Sequence, residues 1–193
     1  MASTIPLFPL NTVLFPGGPL PLRIFEMRYL DMVGRCLKQE EGFGVCLVEQ
    51  CSETGPAHTY TVGTLARIHD WSNGPDGLLN ILARGERRFR VTRVRPQHDG
   101  LNMGEVEWLP DEPSLPLPDS ARPLAELLHQ LLMQMPERYA AITPAYEDAT
   151  WVGYRLAEIL PVPMVQRQNL LEISDPRMRL DIIATLMQAQ TQS

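Results

Sequence analysis

Six arginines and one glutamate share the twelve residues RGERRFRVTRVR (84–95), a local charge of +5. Arg84, Arg87, Arg88 and Arg90 could together form an anion-binding face, with Phe89 available to stack on a base. The alternative is a two-sided strand that buries Phe89 and lays long, amphipathic arginine side chains on its outer face. The second reading is preferred, because the chain carries a net charge of -6, which opposes nucleic-acid binding. All but one of the 17 basic residues are arginine, so an Arg-rich segment is less distinctive here than elsewhere.

Other groupings of reactive residues are weaker. His69-Asp70 and His98-Asp99 resemble fragments of a metal phosphohydrolase site, but such sites need several convergent ligands. Glu105 and Glu107 lie two apart on a strand and so share a face, as an acid/base pair could; a solvated strand face with Val106 buried between them is the simpler reading. The single lysine, Lys38, follows Leu37, so no GxxxxGK[ST] phosphate loop exists. No GxSxG elbow or helical HExxH is present. Cys36, Cys46 and Cys51 are an odd set without framework spacing, suiting reduced thiols; with His58 they make no CxxC pair for zinc. No catalytic residue, metal or cofactor is expected.

The elements that would position any site divide in two. Residues 5–108 read as short strands: IPLF (5–8), TVLF (12–15), PLPLRI (19–24), FGVCLVE (43–49), VGTLARIHDW (62–71), LLNILARG (78–85), RRFRVTRV (87–94) and MGEVEWL (103–109). Pro16-Gly17-Gly18 and Asn73-Gly74-Pro75-Asp76-Gly77 mark turns. One helix, roughly 26–40, is inserted after PLPLRI. In RRFRVTRV the alternation of Phe89 and Val91 fails at Arg93, and a bulge there would restore register. Residues 110–118, PDEPSLPLP, hold four prolines and read as an extended linker. Helical periodicity then fills 119–135, 145–160, 164–172 and 176–190, the last opened by Asp175 and Pro176. The expected domains are 1–109, the linker 110–118, and a helical part 119–193. No apolar run is long enough to span a membrane, and the N-terminus has no basic, apolar leader pattern, so a cytoplasmic protein is expected.

IPLFPLNTVLFPGGPLPLRIFEMRY resembles the opening of the Lon protease N-terminal (substrate-binding) domain family, which often reads "PLFPL…vlFPg…lpL.IFE.RY". VGTLARI and DGLLNILARGERRFRV resemble that family's next blocks, and RLAEILPVPMVQRQNLLEISDPRMRLDII its helical end. The likeness spans about residues 5–187, with four blocks in order. It implies an α+β fold: an N-terminal PUA-like β-barrel with one inserted helix, followed by a C-terminal α-helical bundle. It also implies a part in capturing unfolded or extended polypeptide; an adaptor that docks on a folded partner in a protease assembly is a separate alternative. The 193 residues hold neither an ATPase nor a peptidase motif, so a stand-alone, non-catalytic protein of this kind is expected.

Within that frame two places compete as sites. The loop of Phe15, Pro16 and Leu20 is expected to offer a rigid apolar surface for polypeptide, with helical methionines as a further adaptable surface. The junction PLRIFEMRY is expected to be a structural corner. There Phe25 and Tyr29 bury together, Glu26 favours the positive end of the helix dipole, and Arg23 and Arg28 find carboxylates or carbonyls.

Overall fold

The computed structural model describes residues 3–49 and 58–191; Cys51 lies outside them. The chain divides into two compact units, Met1–Pro110 and Asp111–Ser193.

The first unit is a six-stranded sheet: β1 (Ser3–Leu10), β2 (Pro19–Ile24), β3 (Phe43–Leu47), β4 (Val62–Asn73), β5 (Leu79–Pro96) and β6 (Asn102–Trp108). The order is β2-β5-β4-β3-β1-β6, and a further pairing joins β6 to β5. β1 runs parallel to β3 and antiparallel to β6. β5 is long enough to serve two partners in turn, β2 along Leu79–Arg84 and β6 along Phe89–Pro96. The expected pair of strands 78–85 and 87–94 is therefore one strand, and TVLF is not a strand at all. Val13, Leu14 and Phe15 are buried without strand pairing, and the Leu14 carbonyl accepts the Thr64 hydroxyl at 2.6 Å. The bulge expected before Arg93 is present: the register with β6 shifts between Val91 and Arg93.

Alternation along β1 feeds two apolar clusters. Ile5 and Leu7 join Cys46, Leu65, Phe89 and Val106. The Phe89 ring fits because Gly44 and Gly63 carry no side chain; a Cβ there would lie 2.7 and 2.8 Å from its Cζ. Phe8 points the other way, into a cluster with Ile24, Met32, Phe43 and Ile81. Helix α1 (Met27–Gln39) covers that cluster with Tyr29, Met32, Val33 and Cys36, spaced i, i+3, i+4 and i+7. Met32 and Val33 each contribute about 1.5–3 kcal/mol on burial. Glu40, in the left-handed conformation, closes the helix with its N–H on the Cys36 carbonyl.

The second unit comprises α2 (Arg122–Met133), preceded by a 3-10 turn at Asp119–Ala121, then α3 (Pro136–Tyr139), α4 (Ala149–Ile159), α5 (Met164–Glu172) and α6 (Pro176–Thr191). α4 touches α2, α5 and α6 and is buried on most of its surface. Asp148 caps it, accepting from Thr150 N–H at 2.9 Å, and Asp175 caps α6 through the N–H groups of Arg177 and Met178. The proline-rich segment is held, not loose. Leu115 N–H reaches Asp148, Thr150 donates to the Pro113 carbonyl, and Ala149 N–H donates to the Leu115 carbonyl. Glu112 forms a bidentate pair with buried Arg179 at 2.7 and 2.6 Å.

Candidate functional site

The arginine strand does not converge on a site. Arg84 donates to the Gly17 carbonyl at 3.2 Å. Arg87 lies over the Trp108 ring, 4.7 Å from its centroid. Arg88 is buried, correcting the expectation of an all-solvent arginine face, while Arg90 is exposed. Phe89 is buried as expected and meets Trp108 edge-on. Farther along, Arg95 pairs with Glu105 at 2.5 Å. The aspartates of the two His-Asp pairs fold back on their own backbone, Asp70 to Trp71 N–H and Asp99 to Leu101 N–H. Among the described residues no cluster of His, Cys, Asp or Glu could hold a metal ion. Burial pushes the Cys36 thiol up to about 11 and the Cys46 thiol up to about 12, the range of an inert thiol.

The Phe15 loop does not present an apolar surface. Phe15 is 0% exposed, Leu20 is buried and Pro16 is half-buried. Gly17 and Gly18 stitch the loop to Gly85 through reciprocal backbone bonds at 2.7 and 2.9 Å, so its apolar residues point inward and build the fold.

The corner, in contrast, opens onto a cleft of about 610 Å³. One wall comes from Phe8, Pro9 and Leu10 at the end of β1, the other from Leu22, Arg23 and Ile24 at the end of β2. The start of α1 supplies Glu26, Arg28 and Tyr29, and Val48, Gly100 and Asn102 complete the lining. Tyr29 is buried and meets Phe8 edge-on with ring centroids 3.9 Å apart. Arg28 pairs with Glu26 at 2.7 Å, donates to the Gly100 carbonyl at 3.1 Å and lies over the Tyr29 ring. Arg23 pairs with Asp76.

Phe25 departs from the expectation. It does not bury with Tyr29 but stands 68% exposed at the lip of the cleft, and Met27 beside it is 70% exposed. The helix begins at Met27, so Phe25 belongs to neither the strand nor the helix register. Phe25 lines the cleft, and Met27 stands exposed on the other side of Glu26 in sequence. The sequence pointed to this junction as charged and crowded. It did not show that the ends of β1 and β2 line one cleft, because that depends on long-range pairing.

A family profile described as "ATP-dependent protease La (LON) substrate-binding domain" matches residues 4–189. The Lon protease of Anaeromyxobacter dehalogenans is 27% identical over 195 residues, covering 96% of this chain and 23% of the relative. Lon protease 2 of Myxococcus xanthus is 27% identical with the same coverages. The chain thus spans less than a quarter of these relatives' length. Among solved structures, a Lon N-terminal domain protein from Xanthomonas campestris superposes with a TM-score of 0.80 at 39% identity, covering 95% of this chain and 98% of that one. The N-terminal domain of Mycobacterium avium complex Lon protease shares the fold, with a TM-score of 0.62 at 18% identity, covering 94% of this chain and 96% of that one.

Proposed function

This chain belongs to the Lon substrate-binding domain family, and from that premise we propose that it is a non-catalytic module that binds unfolded or extended polypeptide in the β1–β2 cleft. The observation that carries the assignment to this cleft is Phe25, a large apolar side chain that stands exposed while lining the opening. The closed circuit of pairings β5-β4-β3-β1-β6-β5 supports reading the first unit as a PUA-like barrel, with β2 added at one edge.

Fluorescence anisotropy of a labelled unfolded polypeptide, at low and moderate salt, tests the reading. Binding is expected to tolerate salt, since every charged group lining the cleft already has a partner on the protein. Phe25→Ser should weaken binding by about tenfold or more, the effect of losing one buried aromatic contact, with an unchanged melting temperature. Unchanged affinity would remove the cleft as the site. Phe15→Ser, a buried position, should unfold the first unit instead.

A further inference from the structure

Resting on the reading of this chain as a polypeptide binder, we propose that its helical unit carries a second contact, a pocket beside α2 that takes a single lysine or arginine side chain. The pocket lies within Asp111–Ser193 and is built without any residue of the β1–β2 cleft. Its volume is about 380 Å³. Ligand pockets run from about 300 to 1,000 Å³, so this one suits one long side chain better than an extended segment.

Arg122, Ala125, Glu126 and His129 fall at i, i+3, i+4 and i+7, so one face of α2 forms the first wall. The second wall comes from Leu117, ahead of α2, and from Tyr146 and Glu147, ahead of α4. Leu117 N–H donates to the Glu147 carbonyl at 2.8 Å and Pro116 bridges Asp148, which fixes the backbone of that wall. His129 Nδ1 and the Tyr146 hydroxyl, 3.1 Å apart, hydrogen-bond across the pocket, and their rings meet edge-on. Trp151 meets Tyr146 in the same way, with centroids 5.3 Å apart. The opening is therefore held in shape by the fold itself.

Its chemistry has two halves. Leu117, Ala125 and the Tyr146 ring are apolar or aromatic, whereas Glu126 and Glu147 stand exposed on opposite walls. Among the described residues neither glutamate has an ion-pair partner. Arg122 is taken by Asp119, at 2.8 Å, and the two cancel, which leaves the field of the two glutamates. Asp119 first, then Glu147 and Glu126, hold the Arg122 guanidinium above its ordinary range, so the surroundings favour positive charge. An anion would be repelled by both carboxylates, and Pro123 removes one N–H from the helix start that would otherwise attract it. A lysine or arginine side chain matches both halves: its stem packs on the apolar lining and its head reaches the carboxylates.

Fluorescence anisotropy on the full chain would use a short labelled peptide alternating arginine and glycine. Its citrulline counterpart keeps the stem and loses the charge. The citrulline peptide should bind about fivefold or more weakly, and added salt should weaken the arginine peptide, unlike binding in the cleft. Glu126→Gln with Glu147→Gln should weaken the arginine peptide about fivefold or more at an unchanged urea midpoint. The chain's net charge of -6 attracts any basic peptide, so a second double variant is the control. Glu137→Gln with Asp181→Asn removes the same charge from exposed positions outside the pocket and should change Kd by about twofold or less. Equal losses in the two double variants, or no binding of the arginine peptide, would overturn the pocket and leave the cleft reading standing. Loss with Phe25→Ser but not with the Glu126 and Glu147 changes would place this peptide in the cleft and also overturn the proposal.

Discussion

Glu112 sits in a segment whose four prolines read as a spacer, yet its carboxylate makes two short bonds to Arg179, at 2.7 and 2.6 Å, and both side chains are almost fully buried. Arg179 also donates to the carbonyls of Leu170 and Ile173 and lies 4.2 Å from the Tyr154 ring centroid. Glu112→Ala removes the carboxylate that pairs with this buried guanidinium. Each charge-assisted bond is worth about 1.5–3 kcal/mol. The two carbonyls and the ring stay in place and offset part of the loss, so the net cost is set near the about 3–5 kcal/mol typical of breaking a buried pair from one side. Replacing both partners, as Glu112→Leu with Arg179→Met, removes the stranded charge and should recover most of that loss. Urea denaturation followed by hydrogen exchange of amides in α4 and α6 reads the second unit specifically. A Glu112→Ala loss below about 1 kcal/mol would refute the reasoning, because it would place the segment among solvent-exposed pairs.

Two further outcomes follow from the packing. Glu158 is enclosed by the Tyr139 hydroxyl at 2.9 Å, Arg155 at 3.1 Å and Arg138 at 3.7 Å, yet burial raises its carboxyl above the usual range. A raised folded value favours the protonated form, so this contribution is full below the unfolded pKa and is lost as pH rises through the folded one. The urea midpoint of the unaltered chain, taken relative to Glu158→Gln, should therefore fall as pH rises above the ordinary glutamate value of about 4.3, and a flat or rising difference refutes it. A Cβ on Gly85 would collide with the Phe15 carbonyl, whereas one on Gly34 in α1 meets nothing within 4 Å. Gly85→Ala should cost about 1–3 kcal/mol and Gly34→Ala should gain about 0.5–1 kcal/mol; equal effects in denaturant titration would show that the close approach of the loop is not limiting.

What could be read directly was whatever depends on neighbours in sequence. The alternation of PLPLRI, the cap at Asp175 and the bulge at Arg93 follow from local signals, as does most of the stripe Phe25, Tyr29, Met32, Val33, Cys36 and Leu37, whose two end members are exposed instead. The misreadings share one cause, dependence on partners far along the chain. TVLF has strand composition, but its apolar residues are consumed by packing under a loop that Gly85 accommodates. β5 looks like two strands because Gly85-Glu86 interrupts its alternation, and that is where the strand leaves β2 and goes on to β6. The proline-rich segment looks loose because its partners, Asp148 and Arg179, lie in α4's cap and in α6.

The junction at PLRIFEMRY shows why a structural corner and a binding site need not be alternatives. β2 ends with Ile24 buried, and the helix must bring Tyr29 against Phe8. The residues between cannot satisfy a period of two and a period of 3.6 at once, so one apolar side chain is forced outward. Arg28 holds the turn in that shape through Glu26, Gly100 and the Tyr29 ring. Exposing Phe25 is thus a geometric consequence of changing register, and a polar residue there would leave the bracing intact. The cost of keeping a phenylalanine in water is offset only if something covers it, and the apolar cleft beside it opens where that covering would lie. On the proposed reading, corner and site are one construction: the bracing arginine fixes the turn, and Phe25 gives the opening an apolar edge.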